Sequence, residues 1–142
     1  NMATTTAQIT ITSADIMDNA ISVTNTATLT TAGTSTGITE TTGLARKKTS
    51  SGSNTILLDS GLAAGVAADA TADKSAKVYI KNCNARGNGT KYVTILLTAV
   101  EIGKLYGGDW MFFPWSGGSG KDVEFTASDT TETTLEYMVF YE

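Results

Sequence analysis

The sequence predicts an all-β protein built as an antiparallel sandwich or barrel. Three observations carry that prediction. Short apolar runs of period two recur along the chain, with turn residues between them about every ten residues. The polar residues are dominated by Thr, Ser and Gly, and β-branched side chains suit a pleated surface. No alternation of strand and helix patterns appears, which excludes a doubly wound parallel sheet.

Taken in order, Gln8–Thr12 alternates and puts Ile9 and Ile11 on one face. Ser13 could cap a short helical turn carrying Ile16, Met17 and Ala20. Ile21, Val23, Thr26, Thr28 and Thr30 resume a strand pattern, and the Gly/Thr-rich stretch 31–43 fits no single element. Thr55–Leu58 is a short apolar run between turn residues, and 61–75 reads as a loop with at most one turn of helix. Ala76–Asn82 sends Val78 and Ile80 one way and Lys77, Tyr79 and Lys81 the other. Tyr92–Thr98 groups Val93, Ile95 and Leu97. Between these two runs, Gly87, Asn88 and Gly89 supply the residues of a hairpin end, so a β-hairpin over 76–98 is expected. Further short strands are expected at Glu101–Tyr106, Asp109–Trp115 and around Val123 and Phe125. Leu135–Tyr141 is apolar on both faces, as in a strand central to its sheet or covered by a neighbouring subunit.

Composition divides the chain. The two Trp, five Tyr and four Phe all lie at Tyr79 or later, and no Lys or Arg precedes Arg46. Residues 2–50 therefore read as Thr/Ala-rich strands or an arm with little bulk for a core. Residues 51–142 read as the sandwich domain, alone or together with those N-terminal strands. A chain of 142 residues buries roughly two-thirds of its unfolded surface on folding.

Charge and residue inventory narrow the function. A net charge of −4 with a pI of about 4.7 is a poor match for phosphate backbones, so nucleic acid is not an expected partner. No apolar stretch reaches the ~18 residues of a membrane helix. The N-terminus lacks a secretory signal pattern, so synthesis in a cytosol is expected. The chain has no histidine and one cysteine, Cys83. That removes a Ser-His-Asp triad, imidazole acid–base chemistry, His- or Cys₄-ligated zinc and an internal disulfide. Cys83 reads as a small buried thiol at a strand end. The run Gly117–Asp122 resembles a phosphate loop only superficially, because Trp115 stands where its first glycine belongs and Asp122 replaces the Ser or Thr that binds magnesium. Glu132 and Glu136 share strand spacing with a glycosidase carboxylate pair, but their surroundings read as an exposed turn. No catalytic residue, metal site or cofactor is expected, and the chain is not expected to be an enzyme.

Two segments remain as candidate contact sites. Arg46, Lys47 and Lys48 form the one basic cluster, suited either to an electrostatic contact with an acidic partner surface or to a solvated strand end. Trp110–Trp115 places four aromatic residues in six. An extended chain sends Trp110, Phe112 and Pro114 to one side and Met111, Phe113 and Trp115 to the other. One set can fill the core. The other set can be covered by the N-terminal half, meet a second subunit or form an exposed platform that stacks on a sugar ring. Trp110, Phe113 and Trp115 are taken as the interface candidates.

From Tyr79 onward the chain carries, in order, Tyr79-Ile80-Lys81-Asn82, Gly103-Lys104-Leu105 leading into the run from Gly108 to Trp115, Val123–Ala127, and Leu135-Glu136-Tyr137. In these motifs it resembles small structural proteins of tailed bacteriophages. The resemblance covers roughly residues 76–142 and leaves the Thr-rich half unmatched. Its short motifs are shared by decoration (cement), neck and fibre-associated proteins. The resemblance implies a jelly-roll-like β-sandwich that assembles on a virion and carries no catalytic residues. The expected function is that of a capsid decoration protein, made in the host cytoplasm, stabilising the shell through contacts with itself, as a trimer, and with the major capsid protein. The alternative is a receptor- or glycan-binding head of a fibre.

Overall fold

The computed structural model describes residues 4–14, 20–31, 33, 38, 40–49, 52–59, 76–86, 91–116, 120–128 and 132–141. The chain forms two units, Asn1–Thr39 and Glu40–Glu142. Among the described residues every regular element is a strand and every strand pair is antiparallel.

The first unit is a two-stranded ribbon of β1 (Thr5–Ser13) and β2 (Ile21–Thr30). Period-two alternation sorts its side chains cleanly. Thr6, Gln8, Thr10 and Thr12 lie across from Thr28, Thr26, Thr24 and Ser22 on one face. Ala7, Ile9, Ile11 and Ser13 lie across from Ala27, Asn25, Val23 and Ile21 on the other. On the polar face Gln8 Nε2 donates to Thr26 Oγ1 at 3.1 Å, and the Thr10 and Thr24 hydroxyls meet at 3.4 Å. At the base of the ribbon the Ile38 N–H donates to the Leu29 carbonyl at 3.2 Å, and the Thr30 hydroxyl donates to the Ile38 carbonyl. Ser13 is the last residue of β1, and the helical turn expected after it falls on 15–19, outside the described residues.

The second unit is a β-sandwich of nine strands: β3 (Glu40–Thr41), β4 (Ala45–Thr49), β5 (Thr55–Leu58), β6 (Ala76–Asn82), β7 (Tyr92–Leu97), β8 (Val100–Tyr106), β9 (Trp110–Trp115), β10 (Val123–Ala127) and β11 (Thr133–Tyr141). One sheet runs β5-β10-β7-β8. The other runs β11-β6-β9, with β3 and β4 following one another end to end along the far edge of β11, β4 beside Thr133–Tyr137 and β3 beside Phe140 and Tyr141. The pairs β5·β10, β6·β9 and β7·β8 are nested, so the chain from β5 to β10 behaves as one long hairpin rolled across both sheets.

Both inner faces feed one core. Val78 and Ile80 of β6, Leu135 and Val139 of β11 and Trp115 of β9 meet Val93 and Ile95 of β7 and Val123 and Phe125 of β10. Burying side chains of this size contributes about 1.5–3 kcal/mol each. β11 is central to its sheet, which explains why it is apolar on both faces.

Two expectations are corrected. The hairpin expected over 76–98 does not form, because β6 and β7 belong to different sheets. The reason lies at Asn82, which is buried: its Nδ2 donates to the Leu105 carbonyl at 3.0 Å and its Oδ1 accepts from the Asn84 N–H at 3.0 Å. The Cys83 N–H then donates to Thr134 O at 2.9 Å, which keeps the chain on its own sheet past the end of β6. The glycines 87 and 89 lie outside the described residues. Cys83, expected to be buried, is exposed, since Asn82 takes the inward position. The two units divide at 39/40, and β3 and β4 pair with β11 in the second. The expected loop over 61–75 lies outside the described residues.

The hairpin that does form joins β7 to β8 through Thr98 and Ala99, both at positive φ (50° and 62°). A two-residue turn of this kind matches strand twist but normally uses Asn or Gly. Neighbours hold it in place: Thr98 N–H donates to Asp122 O at 3.0 Å, Thr98 Oγ1 to Gly120 O at 2.7 Å and Ala99 N–H to Glu124 Oε2 at 3.2 Å.

Candidate interaction surfaces

The six residues Trp110–Trp115 alternate as their spacing requires. Trp115 is 5% exposed and its indole N–H donates to the Lys121 carbonyl at 2.8 Å. Met111 and Phe113 pack beside it against the core. Of the three expected interface residues, therefore, Phe113 and Trp115 serve the sandwich interior. Only Trp110, 50% exposed, is available to a partner.

Trp110 belongs to a broader outer face. Register places Trp110 beside Lys81, which lies beside Glu136, which lies beside Arg46. The next row is Phe112, Tyr79 and Met138, and the one after is Pro114, Lys77, Phe140 and Thr41. The Phe112 and Phe140 rings meet edge-on across β6, with centroids 6.2 Å apart and planes at 74°. Tyr79 lies partly buried between Phe112 and Met138 in its row, and burial, followed by the nearby Glu136 carboxylate, pushes its phenol above the ordinary tyrosine range. The middle of this face thus packs on itself, and Trp110 stands at its open edge on β9.

The basic cluster is β4, which alternates like any strand. Arg46 donates from Nε and Nη2 to Glu136 Oε2 at 3.1 and 2.9 Å, and this bond raises its pKa further above an already basic value. Lys48 pairs with Glu132 at 2.7 Å. Lys47 points the opposite way and donates to the Ile56 carbonyl on β5, bridging the two sheets. The three cations are engaged within the chain and do not form an open basic patch. The same contacts account for Glu132 and Glu136 as ion-pair partners. Among the described residues no group of three or more His, Cys, Asp or Glu side chains is arranged to hold a metal ion.

No family model and no curated protein matches this chain.

The surface that sequence reasoning underrated is the ribbon. Ile9, Ile11 and Val23 are 39%, 57% and 44% exposed on its aliphatic face. The segments 4–14 and 20–31 contain no charged residue and no proline. Native edge strands are usually guarded by charges, prolines or bulges against pairing with other chains. The signal was present in the alternation of Ile9, Ile11 and Val23 with threonines. What spacing could not supply was that β2 would leave this face uncovered.

Proposed function

We propose that this chain is a non-enzymatic structural protein of a virion, a decoration (cement) protein of a tailed-phage capsid. On this reading it is made in the host cytoplasm and assembles as a homo-oligomer on the major capsid protein. The observation that carries the reading is the ribbon: an uncharged, proline-free two-stranded sheet with its aliphatic face open. A lone two-stranded hairpin is marginal in water, so such an element gains its stability from a partner. The resemblance of residues 76–142 to small phage structural proteins points the same way. The nested pairing of β5 to β10 is compatible with a jelly-roll-like roll, an architecture used by capsid and lectin domains. Many copies, each adding apolar contact, stiffen a shell.

The test is location. An antibody against the sandwich, applied to particles purified from an infected culture that expresses the chain, should label the shell at regular positions. Absence from the particles would overturn the reading.

A second reading, a glycan-binding fibre head, is favoured by Trp110 alone, a half-exposed indole flanked by Lys81. Labelling at fibre tips, with glycan-array binding lost in Trp110→Ala, would select it over the first.

A further inference from the structure

We infer that β1 is a homotypic pairing edge: two copies of this chain join their ribbons through β1, antiparallel across a two-fold axis, into a four-stranded sheet β2-β1-β1-β2. This rests on the assembly reading above and names the partner of one of its surfaces.

The ribbon has two edges, and they are not equivalent. At β2 the chain folds back, with Ile38 bonded to Leu29 at the strand's end. Among the described residues, β1 pairs with no strand other than β2. Along β1 every second residue turns its backbone N–H and C=O away from β2, a ready template for another strand.

The occupant follows from charge and register. An acidic or basic partner surface would meet no counter-charge along 4–14 or 20–31, and phosphate would meet no cation. A neutral edge is matched by a second neutral edge, and β1 matches itself. Its nine residues, Thr5–Ser13, are centred on Ile9. Full antiparallel overlap about a two-fold therefore sets Ile9 against Ile9 of the second copy, with Ala7 against Ile11 and Gln8 against Thr10. Side chains of like parity stay on one face. The aliphatic rows of both ribbons become continuous, and so do the threonine rows. Such an isologous contact closes at two copies, in place of the three-fold expected from the sequence. It also doubles the aliphatic face available to a shell.

The test uses the full chain and its mass in solution over a wide concentration range. Twice the 14.8 kDa of one chain is expected. Ile9→Lys brings two ammonium groups face to face and should weaken the pair at least about a hundredfold. Ile9 is 39% exposed in the single chain, so the variant is expected to keep its fold, checked for the ribbon by backbone amide chemical shifts over residues 5–30. Ile9→Glu should dissociate likewise, and mixing the Lys and Glu variants should restore the double mass, which only a self-opposed Ile9 explains. A wild-type chain that stays single at every concentration overturns the inference, as does a pair indifferent to both variants. A single chain that nonetheless binds phage shells overturns it while leaving the decoration reading intact. A pair that binds no shell and is missing from particles leaves the inference standing and overturns that reading.

Discussion

The two units of this chain are built from the same pattern and reach opposite ends. In the sandwich, alternation delivers one apolar face of each sheet to a facing sheet, and Val78, Ile80, Val93, Ile95, Phe125, Leu135 and Val139 are fully withdrawn from water. In the ribbon, the same alternation delivers Ile9, Ile11 and Val23 to a face that stays open. The difference is bulk and layers. All the aromatic residues lie in the sandwich unit, and a sheet can dry its apolar face only against a second layer. The sandwich closes a core of its own, whereas the ribbon's aliphatic face is left exposed to meet the partner proposed above.

The comparison is broken most directly at Phe125. It is fully buried at the centre of the core, so Phe125→Ala removes the largest inward side chain of β10. A loss of about 3–5 kcal/mol is expected, from transfer and cavity terms together, read as a lower denaturant midpoint. An unchanged midpoint would mean that the sandwich is not the stable unit. Gly107 comes next. A Cβ there would lie 2.5 Å from the Ala85 carbonyl oxygen and 2.8 Å from that of Asn84. Backbone cannot yield as a side-chain tip can, so Gly107→Ala should cost about 1–3 kcal/mol. Retention of full stability would show that the 84–86 segment is free to move.

The strained turn sharpens the comparison from the other direction. Ala99 holds φ at 62°, a conformation that costs a non-glycine residue about 1–2 kcal/mol. Ala99→Gly should relieve most of it and raise the sandwich's stability by about 1 kcal/mol, offset in part by the greater freedom of the unfolded chain. The sandwich tolerates the strain because the contacts from Gly120, Asp122 and Glu124 hold the turn. A ribbon built on two strands has no such reserve.

This turn also shows how far the sequence could be read. The positions of most strands, the inward and outward sets along β6 and β9, and the double-sided character of β11 were legible, because each follows from period two; β3 and β4, short and poor in apolar residues, were not. Strand partners were not. Gly87-Asn88-Gly89 looked like a hairpin end, whereas Thr98-Ala99 carried no turn signature and is one. Tertiary hydrogen bonds on Asn82 and Thr98 decided both cases, and they connect residues far apart in sequence. The candidate site was half legible for the same reason. Alternation placed Trp110 opposite to Phe113 and Trp115, but only the sheet order told which side was the core. The pairing of Arg46 and Lys48 with Glu136 and Glu132 likewise needed β4 to lie beside β11.

Proton binding separates the units as well. The Tyr79 phenol is held above its ordinary range by burial and by Glu136. Its neutral form is favoured in the fold, so this contribution is fully present below the unfolded value of about 10 and is lost as pH rises through the higher folded value. Alkaline titration should therefore destabilise the sandwich, and Tyr79→Phe should flatten that limb of the curve. A curve identical to wild type would detach Tyr79 from the effect. The described ribbon strands hold no ionisable side chain and contribute nothing of this kind.

The smallest expected effect is the most diagnostic. Ile11 is 57% exposed, so Ile11→Thr removes little that the single chain has buried. Its β-branched replacement keeps the strand preference and simply extends the row of threonines. The sandwich's denaturation midpoint should stay within about 0.5 kcal/mol of wild type. Association should nevertheless weaken if, as proposed, a partner meets the aliphatic face to which Ile11 contributes. A substitution invisible to unfolding but visible to assembly is what an interface layer predicts. If Ile11→Thr instead lowered the midpoint by several kcal/mol, Ile11 would be part of a folded core, and the contrast between the two units would fail.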